Sequence, residues 1–157
     1  MTVLIQTPGT LDSRELAALA RRLGSAVRGD EVTIERGEDR GFVRLLETPT
    51  HEAWLIAWAR TSGLDLHDHG GSAGAIHVVR GRLHEEYTDL DRPHHLRSRR
   101  LGPGRSVPVP ASRAHEVTNP GTELALSVHV YSPPITTMTF YDRDPERFLK
   151  RLRTEPR

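Results

Sequence analysis

The sequence lacks several features that would point to particular classes of protein. It contains no cysteine, so its core must form without disulfide bonds, although this absence fits any cellular compartment. It has no apolar run long enough to span a bilayer and no N-terminal segment typical of a secretory signal. Lys and Arg number 22 against 21 for Asp and Glu, which gives no electrostatic reason to expect nucleic acid or a membrane as partner. We therefore expect a cytoplasmic protein that acts on a small molecule.

The length of 157 residues is enough for a single domain with its own hydrophobic core. Near the N-terminus, Asp12 or Ser13 can cap a helix in which apolar residues recur at intervals of three and four until Gly29. These apolar residues are Leu16, Leu19, Ala20, Leu23 and Val27. We expect residues 1–35 to form a helical segment that packs on the main body of the domain, residues 36–157.

From Phe42 onward the chain changes to short apolar or alternating runs separated by Gly, Pro, Asn or Asp. This pattern predicts an antiparallel β-sandwich or barrel. The runs are FVRLLE, AWLIAWA, GAIHVV, RLHEEYTDL, HLRSRR, RSVPVP, ALSVHVYS and TTMTFY. The polar segment TDLDRPHH is predicted to be an exposed hairpin or loop. The segment DRDPERFLKRLR after Tyr141 is predicted to form a final short helix.

Histidine occurs nine times, and two histidines stand one residue apart in the stretch LHDHGG. On a strand, His67 and His69 would emerge on the same face about 7 Å apart, because successive side chains point to opposite faces. Two imidazoles in this position could chelate one metal ion. An isolated pair of this kind is more simply interpreted as polar residues on a solvated strand, so the surrounding residues decide.

Those surrounding residues resemble the two conserved motifs of the cupin superfamily, over residues 63–119. In that superfamily the first motif supplies two histidines and the second supplies a third, which corresponds to His115 here. The positions that match are His67, His69, Gly81, Gly104, Pro110, His115 and Asn119. The resemblance implies an all-β cupin fold, a jelly-roll-like β-barrel, which would carry the N-terminal helix and the short C-terminal helix.

Two positions depart from the usual cupin pattern. Gly74 stands where most metal-binding cupins have a glutamate ligand, and Ser112 stands where the second motif usually has glycine. The second change is modest, because serine is also small and tolerated in turns. The first change leaves three neutral histidine ligands and no carboxylate, so no ligand compensates the charge of a divalent metal. Such a site favours an external anionic ligand, for which a thiolate is a natural candidate.

The segment SVHVYSPP, together with LHDHGGSAG, resembles the cysteine dioxygenase (thiol dioxygenase) family. Members of this family are non-haem iron cupins that convert a thiol and O2 to a sulfinate. The resemblance implies that the three histidines bind Fe(II) and that Ser127, His129 and Tyr131 form a hydrogen-bonded chain beside it. These three residues alternate along one strand and therefore share one face. The alternative is a stripe of core-facing polar residues that satisfy one another.

Some members of the family cross-link a cysteine to the active-site tyrosine. The position of that cysteine matches Gly74, and a chain without cysteine cannot form the bond. Tyr131 is therefore expected to act as a free phenol, as in bacterial members that the sequence resembles.

Members that oxidise cysteine hold its carboxylate with an arginine on an early strand, which corresponds to Arg44 in FVRLLE. An arginine fork suits a planar carboxylate. Phe42 and Leu46 share the side of Arg44 by parity, which suggests that this side faces inward. Arg40 is the second candidate, and an ordinary surface arginine is the alternative for Arg44.

The sequence thus predicts an iron(II)-dependent thiol dioxygenase that oxidises L-cysteine with O2 to cysteine sulfinate. One alternative is a dioxygenase of another small thiol carboxylate, such as 3-mercaptopropionate. Another is a non-catalytic cupin that binds a metal, zinc included, or a small ligand. We expect the thiol and O2 as its only partners, and a monomer or weak homo-oligomer.

The other candidate residues are given structural roles. Trp54 and Trp58 are expected to pack in the core, with Trp58 a candidate wall of the pocket. Asp68 is expected to face away from the ligands. Gly70 and Gly71 are expected to permit a turn or a close approach of the backbone. The remaining histidines are expected to be structural or solvated, on strands for His77 and His84 and in loops for His51, His94 and His95.

Overall fold

A computed structural model of the protein describes residues 9–145 and 148–157, with the backbone alone at residues 93–95. In this part of the chain one helix, α1, is followed by eleven strands. Their bounds are α1 (Ser13–Ala26), β1 (Arg40–Glu47), β2 (Glu52–Trp58), β3 (Gly63–His67), β4 (Ala73–Arg80), β5 (Leu83–Asp89), β6 (Arg92–Leu101), β7 (Ser106–Val109), β8 (Arg113–Thr118), β9 (Ala125–Ser132), β10 (Thr137–Asp144) and β11 (Phe148–Pro156). No helix in the described ranges is both long and apolar enough to cross a bilayer.

The helix is capped at its start by Asp12, one of the two predicted cap residues, and the cap is reciprocal with Glu15. Asp12 Oδ1 accepts a hydrogen bond from the Glu15 backbone N–H at 2.9 Å, and Glu15 Oε2 accepts one from the Asp12 backbone N–H at 2.8 Å. The helix ends at Ala26, because Val27 already has an extended backbone. Its buried face, which includes Leu16 and Ala20, is the face on which the apolar periodicity falls.

The strands form two antiparallel sheets, so the all-β prediction is confirmed. The five-stranded sheet has the order β1-β2-β9-β4-β7, and the six-stranded sheet has the order β11-β10-β3-β8-β5-β6. Strands that are neighbours in a sheet are mostly distant in sequence, which is the connectivity of a jelly roll. The sheets face each other as a jelly-roll-like sandwich rather than closing into the predicted barrel.

Both faces of the five-stranded sheet are covered, which explains why all eight residues of β9 are buried. On the outer face, Leu16 and Ala20 of α1 pack against a layer that includes Leu55, Val128 and Val130. The inner face meets the six-stranded sheet in a core whose members are Ile56, Trp58, Ile76, Val78, Leu83, Leu101, Val107, Val109, Val117 and Ala125. The helix therefore packs on the sandwich, while the boundary at residue 36 stays a prediction.

The predicted C-terminal helix is wrong, because Phe148–Pro156 is strand β11. It pairs antiparallel with β10 over the whole length of that strand. Thr154 Oγ1 lies 2.8 Å from Thr139 Oγ1, and Arg153 stacks on Phe140. Pairing with an open sheet edge overrides the weak helical pattern of FLKRLR. The apolar runs found in the sequence did not predict β8 and included no separate run for β3. His94 and His95, which were predicted to lie in a loop, belong to strand β6.

Candidate metal centre

Three buried histidine side chains converge at one point between the sheets. His67 is the last residue of β3, and its Cα pairs with that of His115 on β8. His69 lies just beyond the end of β3. The three candidate ligand nitrogens all lie within 4.8 Å of one another, and each side chain is at most 2% exposed. The structure thus brings the three predicted ligands together.

His69 leaves the strand and is placed by a turn rather than by strand alternation. Asp68 fixes this turn, because its carboxylate accepts hydrogen bonds from the backbone N–H of Gly70 at 2.9 Å and from the Tyr141 hydroxyl at 2.6 Å. Gly70 has a φ of +61°, and a Cβ there would lie 2.6 Å from the carbonyl oxygen of Thr137. Asp68 points away from the ligands as predicted, but it anchors the turn to β10 instead of facing solvent.

The protonation states of the histidines suit metal binding. His67 Nδ1 donates a hydrogen bond to the Asp65 carbonyl at 2.6 Å, which leaves its Nε2 with a free lone pair. That Nε2 lies 3.2 Å from His69 Nε2, and His69 Nδ1 is buried with no hydrogen-bond partner in the described part of the chain. Burial, followed by the charges of neighbouring histidines, holds the pKa of both His67 and His69 well below the usual range. Neutral imidazoles that face one another in this way fit a divalent metal ion.

A buried carboxylate lies behind the third histidine. Glu85 on β5 is 0% exposed, and its Oε2 lies 3.8 Å from His115 Nδ1. Arg99 on β6 donates to the same carboxylate, at 2.9 Å and 3.3 Å to its two oxygens. Burial raises the pKa of Glu85, but His115 and Arg99 outweigh it, so the pKa is lowered and the carboxylate is ionised. The predicted ligand set contains no carboxylate, but Glu85 places a negative charge 3.8 Å from His115.

The opposite wall of the site carries a chain of hydrogen bonds along β9. Ser127 Oγ lies 2.8 Å from His129 Nε2, and His129 Nδ1 lies 3.3 Å from the hydroxyl of Tyr131. Trp58 extends the chain by donating its indole N–H to Ser127 Oγ at 2.9 Å. The three residues predicted to share a face therefore do so, and a tryptophan fixes their outer end.

This tryptophan bears on the direction of the chain. Ser127 Oγ accepts from Trp58, and its own hydroxyl proton gains a partner if it donates to His129 Nε2. In that arrangement His129 carries its proton on Nδ1 and donates it to the oxygen of Tyr131, which frees the phenol O–H for the cavity. Burial lowers the pKa of His129 to about 3 and raises that of Tyr131 to about 12. At neutral pH the imidazole is neutral and the phenol keeps its proton.

The first arginine candidate, Arg44, lies at the rim of the cavity. Its guanidinium carbon is 4.7 Å from the centre of the Trp54 ring, and its Nη1 forms a 2.6 Å ion pair with Glu47. The side chain is 41% exposed. Phe42, on the same face, also lines the cavity but is 61% exposed. A register shift between Arg44 and Leu46 interrupts the predicted alternation.

Arg40 and Arg157 also line the cavity, and their charges reach His129. The guanidinium carbon of Arg40 is 5.7 Å from the centre of the Trp58 ring, and that of Arg157 is 5.0 Å from the centre of the Trp54 ring. Burial lowers the pKa of Arg40. The pKa of His129 is lowered mainly by burial and next by the charge of His115. The positive charges of both arginines lower it further. Neither arginine forms an ion pair with any residue in the described ranges. Arg157 was not predicted, because the strand that brings it here was predicted as a helix.

Gly74 lies directly opposite Tyr131. The Cα atoms of the two residues pair between β4 and β9, and a Cβ on Gly74 would lie 2.8 Å from the Val130 carbonyl oxygen and 2.9 Å from the Tyr131 ring. A side chain at this position would therefore touch the phenol, which agrees with its correspondence to the cross-linking cysteine. The glycine leaves the Tyr131 ring unobstructed.

A cavity of about 390 Å³ joins these groups between the two sheets. This size suits a small molecule. Its lining residues are Arg40, Phe42, Arg44, Trp54, Ile56, Trp58, Leu64, His67, His115, Val117, His129, Tyr131, Met138 and Arg157. One sheet supplies His67 and His115, two of the three histidines that could hold a metal ion, and the other supplies Ser127, His129 and Tyr131.

The family model of cysteine dioxygenase type I matches residues 38–144. The match extends from just before β1 to the end of β10 and includes most of the chain. The chain belongs to the cysteine dioxygenase type I family. The resemblance inferred from LHDHGGSAG and SVHVYSPP is thereby confirmed.

Solved structures place this family member in the cupin fold. A Thermus thermophilus protein is 18% identical, with a TM-score of 0.56 over 69% of this chain and 96% of that one. KdgF from a Halomonas species is 21% identical, with a TM-score of 0.55 over 68% and 92% of the two chains. The cupin domain of Schizosaccharomyces pombe Cnp3 is 13% identical, with a TM-score of 0.52 over 69% of each chain. At these identities the similarity establishes the fold.

In this cysteine dioxygenase family member, none of the remaining histidines whose side chains the structure describes lines the cavity. His77 on β4 packs against Gly24 of α1 and lies 2.6 Å from Ser106 Oγ through its Nδ1. His51 contacts Thr48 and Thr50 in a loop, and His84 lies on β5. Sequence reasoning missed Glu85 and Arg99, although Glu85 shares its strand face with the apolar Leu83. That parity was the available signal for an inward-facing carboxylate.

Proposed function

We propose that this protein is an iron(II)-dependent thiol dioxygenase that oxidises L-cysteine with O2 to cysteine sulfinate. One observation carries the proposal: three buried histidines face a tyrosine-ended hydrogen-bond chain across a small cavity, in a chain of the cysteine dioxygenase family. The histidines alone would suit many metal sites. The phenol donor opposite them is what favours oxygen chemistry over simple metal storage.

His67, His69 and His115 would hold the metal through three neutral nitrogen ligands, a set that leaves further coordination positions open to reactants. Iron(II), when bound, would supply the one-electron chemistry that ground-state O2 requires. In the overall reaction the thiol R–SH takes up O2 to give the sulfinic acid R–SO2H. Both oxygen atoms go to sulfur, which is the only atom oxidised, so no external reductant is needed.

Tyr131 is proposed to donate a hydrogen bond to the reacting oxygen atoms. Its pKa of about 12 keeps the proton on the phenol at neutral pH, and the His129 N–H that it accepts fixes the direction of its own O–H. Ser127 and Trp58 hold His129 in the required tautomer from behind. Donors that are oriented before the reaction stabilise developing negative charge without reorganising during it.

Arg40 is proposed to bind the carboxylate of the substrate, with Arg157 as a second cation at the same opening. Both guanidinium groups lack an ion-pair partner among the described residues, whereas Arg44 is already paired with Glu47 at 2.6 Å. The half-buried position of Arg40 also strengthens its attraction for an anion, because nearby apolar rings exclude water. That Arg44 binds the carboxylate stays a prediction. Substituting each arginine in turn distinguishes the two candidates.

The first test is oxygen uptake by the iron(II)-loaded protein with L-cysteine and 3-mercaptopropionate in parallel, with the sulfinate identified by mass. We expect uptake with cysteine that is lost in His115→Ala and retained in the matched variant His84→Ala. Uptake with 3-mercaptopropionate alone would keep the chemistry and overturn the substrate. Metal binding without uptake of O2 with either thiol would contradict the dioxygenase and favour a non-catalytic metal-binding cupin.

A further inference from the structure

Glu85 is a buried carboxylate that is not one of the three candidate histidine ligands, so its burial needs another explanation. The side chain is 0% exposed and lies in the six-stranded sheet, on β5, whose neighbour β8 carries His115. Taking a carboxylate out of water costs several kcal/mol unless partners compensate it. Arg99 provides one partner through Oε1 and Oε2, and Oε2 also faces His115 Nδ1 at 3.8 Å.

The nitrogen that faces Glu85 has no hydrogen-bond partner among the described residues. His115 Nδ1 is buried there, and 3.8 Å is longer than a hydrogen bond between nitrogen and oxygen. A contraction of about 1 Å would form that bond. It would satisfy the buried Nδ1–H and leave His115 Nε2 as the nitrogen available to a metal ion.

We propose that Glu85 is a positioning residue for the metal: it accepts the Nδ1–H of His115, fixes the tautomer that presents Nε2, and supplies the negative charge absent from the ligand set. This inference rests on the metal site in the proposed function. Histidine ligands commonly donate their second ring N–H to a carboxylate or a backbone carbonyl, which raises their basicity. His67 donates this second N–H to the Asp65 carbonyl at 2.6 Å. In our proposal His115 donates its second N–H to the carboxylate of Glu85.

Arg99 separates this role from simple support of the fold. It donates to Glu85 and to the Pro108 carbonyl, at 3.3 Å, so its loss removes a buried ion pair and a tie to β7. If Glu85 only stabilised the sandwich through Arg99, removing either residue would disturb the site alike. If Glu85 acts on His115, removing Arg99 leaves the carboxylate free to bond to the imidazole, so metal binding is retained.

The test measures the dissociation constant of Co(II), by its visible absorption and by chelator competition, without reference to turnover. We expect Glu85→Gln to weaken Co(II) binding by about 10- to 100-fold and to change the absorption spectrum. The adjacent Glu86→Gln is the matched control, because Glu86 pairs with Arg143 at a more exposed position. Arg99→Leu is expected to bind Co(II) no more weakly than the unaltered protein.

The proposal is overturned if Glu85→Gln binds Co(II) within about threefold of the unaltered protein, or if Arg99→Leu weakens binding as much. Should Glu85→Gln not fold, long-range proton–nitrogen NMR of the zinc-loaded unaltered protein decides. A proton on His115 Nδ1 and metal on Nε2 support the proposal, and metal on Nδ1 refutes it. Failure of the metal site itself is distinguishable, since His67→Ala would then bind Co(II) as tightly as the unaltered protein.

Discussion

The two tryptophans of β2 allow the hydrogen-bond chain to be tested by removing a single hydrogen-bond donor. Trp58 Nε1 donates to Ser127 Oγ at 2.9 Å, whereas Trp54 Nε1 is buried and no described residue forms a hydrogen bond with it. Both rings line the cavity from the same strand. The substitutions Trp58→Phe and Trp54→Phe therefore remove similar ring area, but only the first removes a hydrogen bond.

The expected cost follows from the burial of both partners. Trp58 is 1% exposed and Ser127 is 0% exposed, so loss of the donor leaves a buried hydroxyl oxygen short of a partner. Such a loss costs about 1–3 kcal/mol, and we expect Trp58→Phe to lower the free energy of unfolding by that much more than Trp54→Phe. Urea unfolding followed by circular dichroism measures the difference between the two variants.

The same substitution should also reverse the chain. Without Trp58, the Ser127 oxygen lacks its donor, so acceptance from His129 Nε2–H becomes the more favourable arrangement. In that arrangement Nδ1 becomes an acceptor and the phenol proton turns away from the cavity. We expect kcat for sulfinate formation to fall about 10-fold, equivalent to about 1.4 kcal/mol, and the nitrogen NMR signals of His129 to show the other tautomer. Equal effects of the two substitutions on stability, tautomer and kcat would refute the reasoning.

Three further outcomes are expected. Arg40→Met should raise KM for cysteine about 10-fold or more, and Arg44→Met should raise it little; steady-state kinetics of both variants would show the reverse if Arg44 is the clamp. Burial holds the pKa of His129 at about 3 against 6.5 when unfolded, so the folded state binds fewer protons and stability falls as pH drops from 6.5 towards 3. One extra proton bound by the unfolded state lowers the free energy of unfolding by about 1.4 kcal/mol per pH unit. When the metal-free protein is unfolded with urea at several pH values, His129→Gln should therefore show a smaller slope of this free energy against pH, by the equivalent of one proton. Gly74→Ala should lose about 1–3 kcal/mol of stability, because its Cβ meets a backbone carbonyl at 2.8 Å, whereas Gly102→Ala meets nothing within 4 Å.

Local periodicity predicted those parts of the fold in which one face of an element is buried. The amphipathic pattern of α1 and its Asp12 cap are properties of a short window of sequence, and the structure has both. The alternation of Ser127, His129 and Tyr131 likewise needs only a strand. The segment FLKRLR failed because its strand state depends on pairing with β10, a contact that local propensity does not contain.

The site shows the same division between local and long-range information. The three histidines and the Ser-His-Tyr set were found because motif spacing and family resemblance record them. Glu85, Arg99 and Arg157 were missed because they come from three different strands or strand ends, and only the sheet order brings them beside the ligands. The half-buried Arg40 and the rim position of Arg44 depend on the inward side of β1 and on its register shift, which spacing cannot give.

The division of the site between two sheets implies that metal affinity and phenol orientation are separable. His67, His115, Glu85 and Arg99 belong to the six-stranded sheet, whereas the hydrogen-bond chain from Trp58 to Tyr131 lies wholly in the five-stranded sheet. Trp58→Phe should therefore leave the Co(II) dissociation constant within about threefold of the unaltered protein, as independent sites behave additively. A double variant with Glu85→Gln should show the sum of the two changes in the free energy of Co(II) binding. A coupling larger than about 0.5 kcal/mol would mean that the two sheets adjust to each other across the cavity, and that the phenol senses the metal ligands directly.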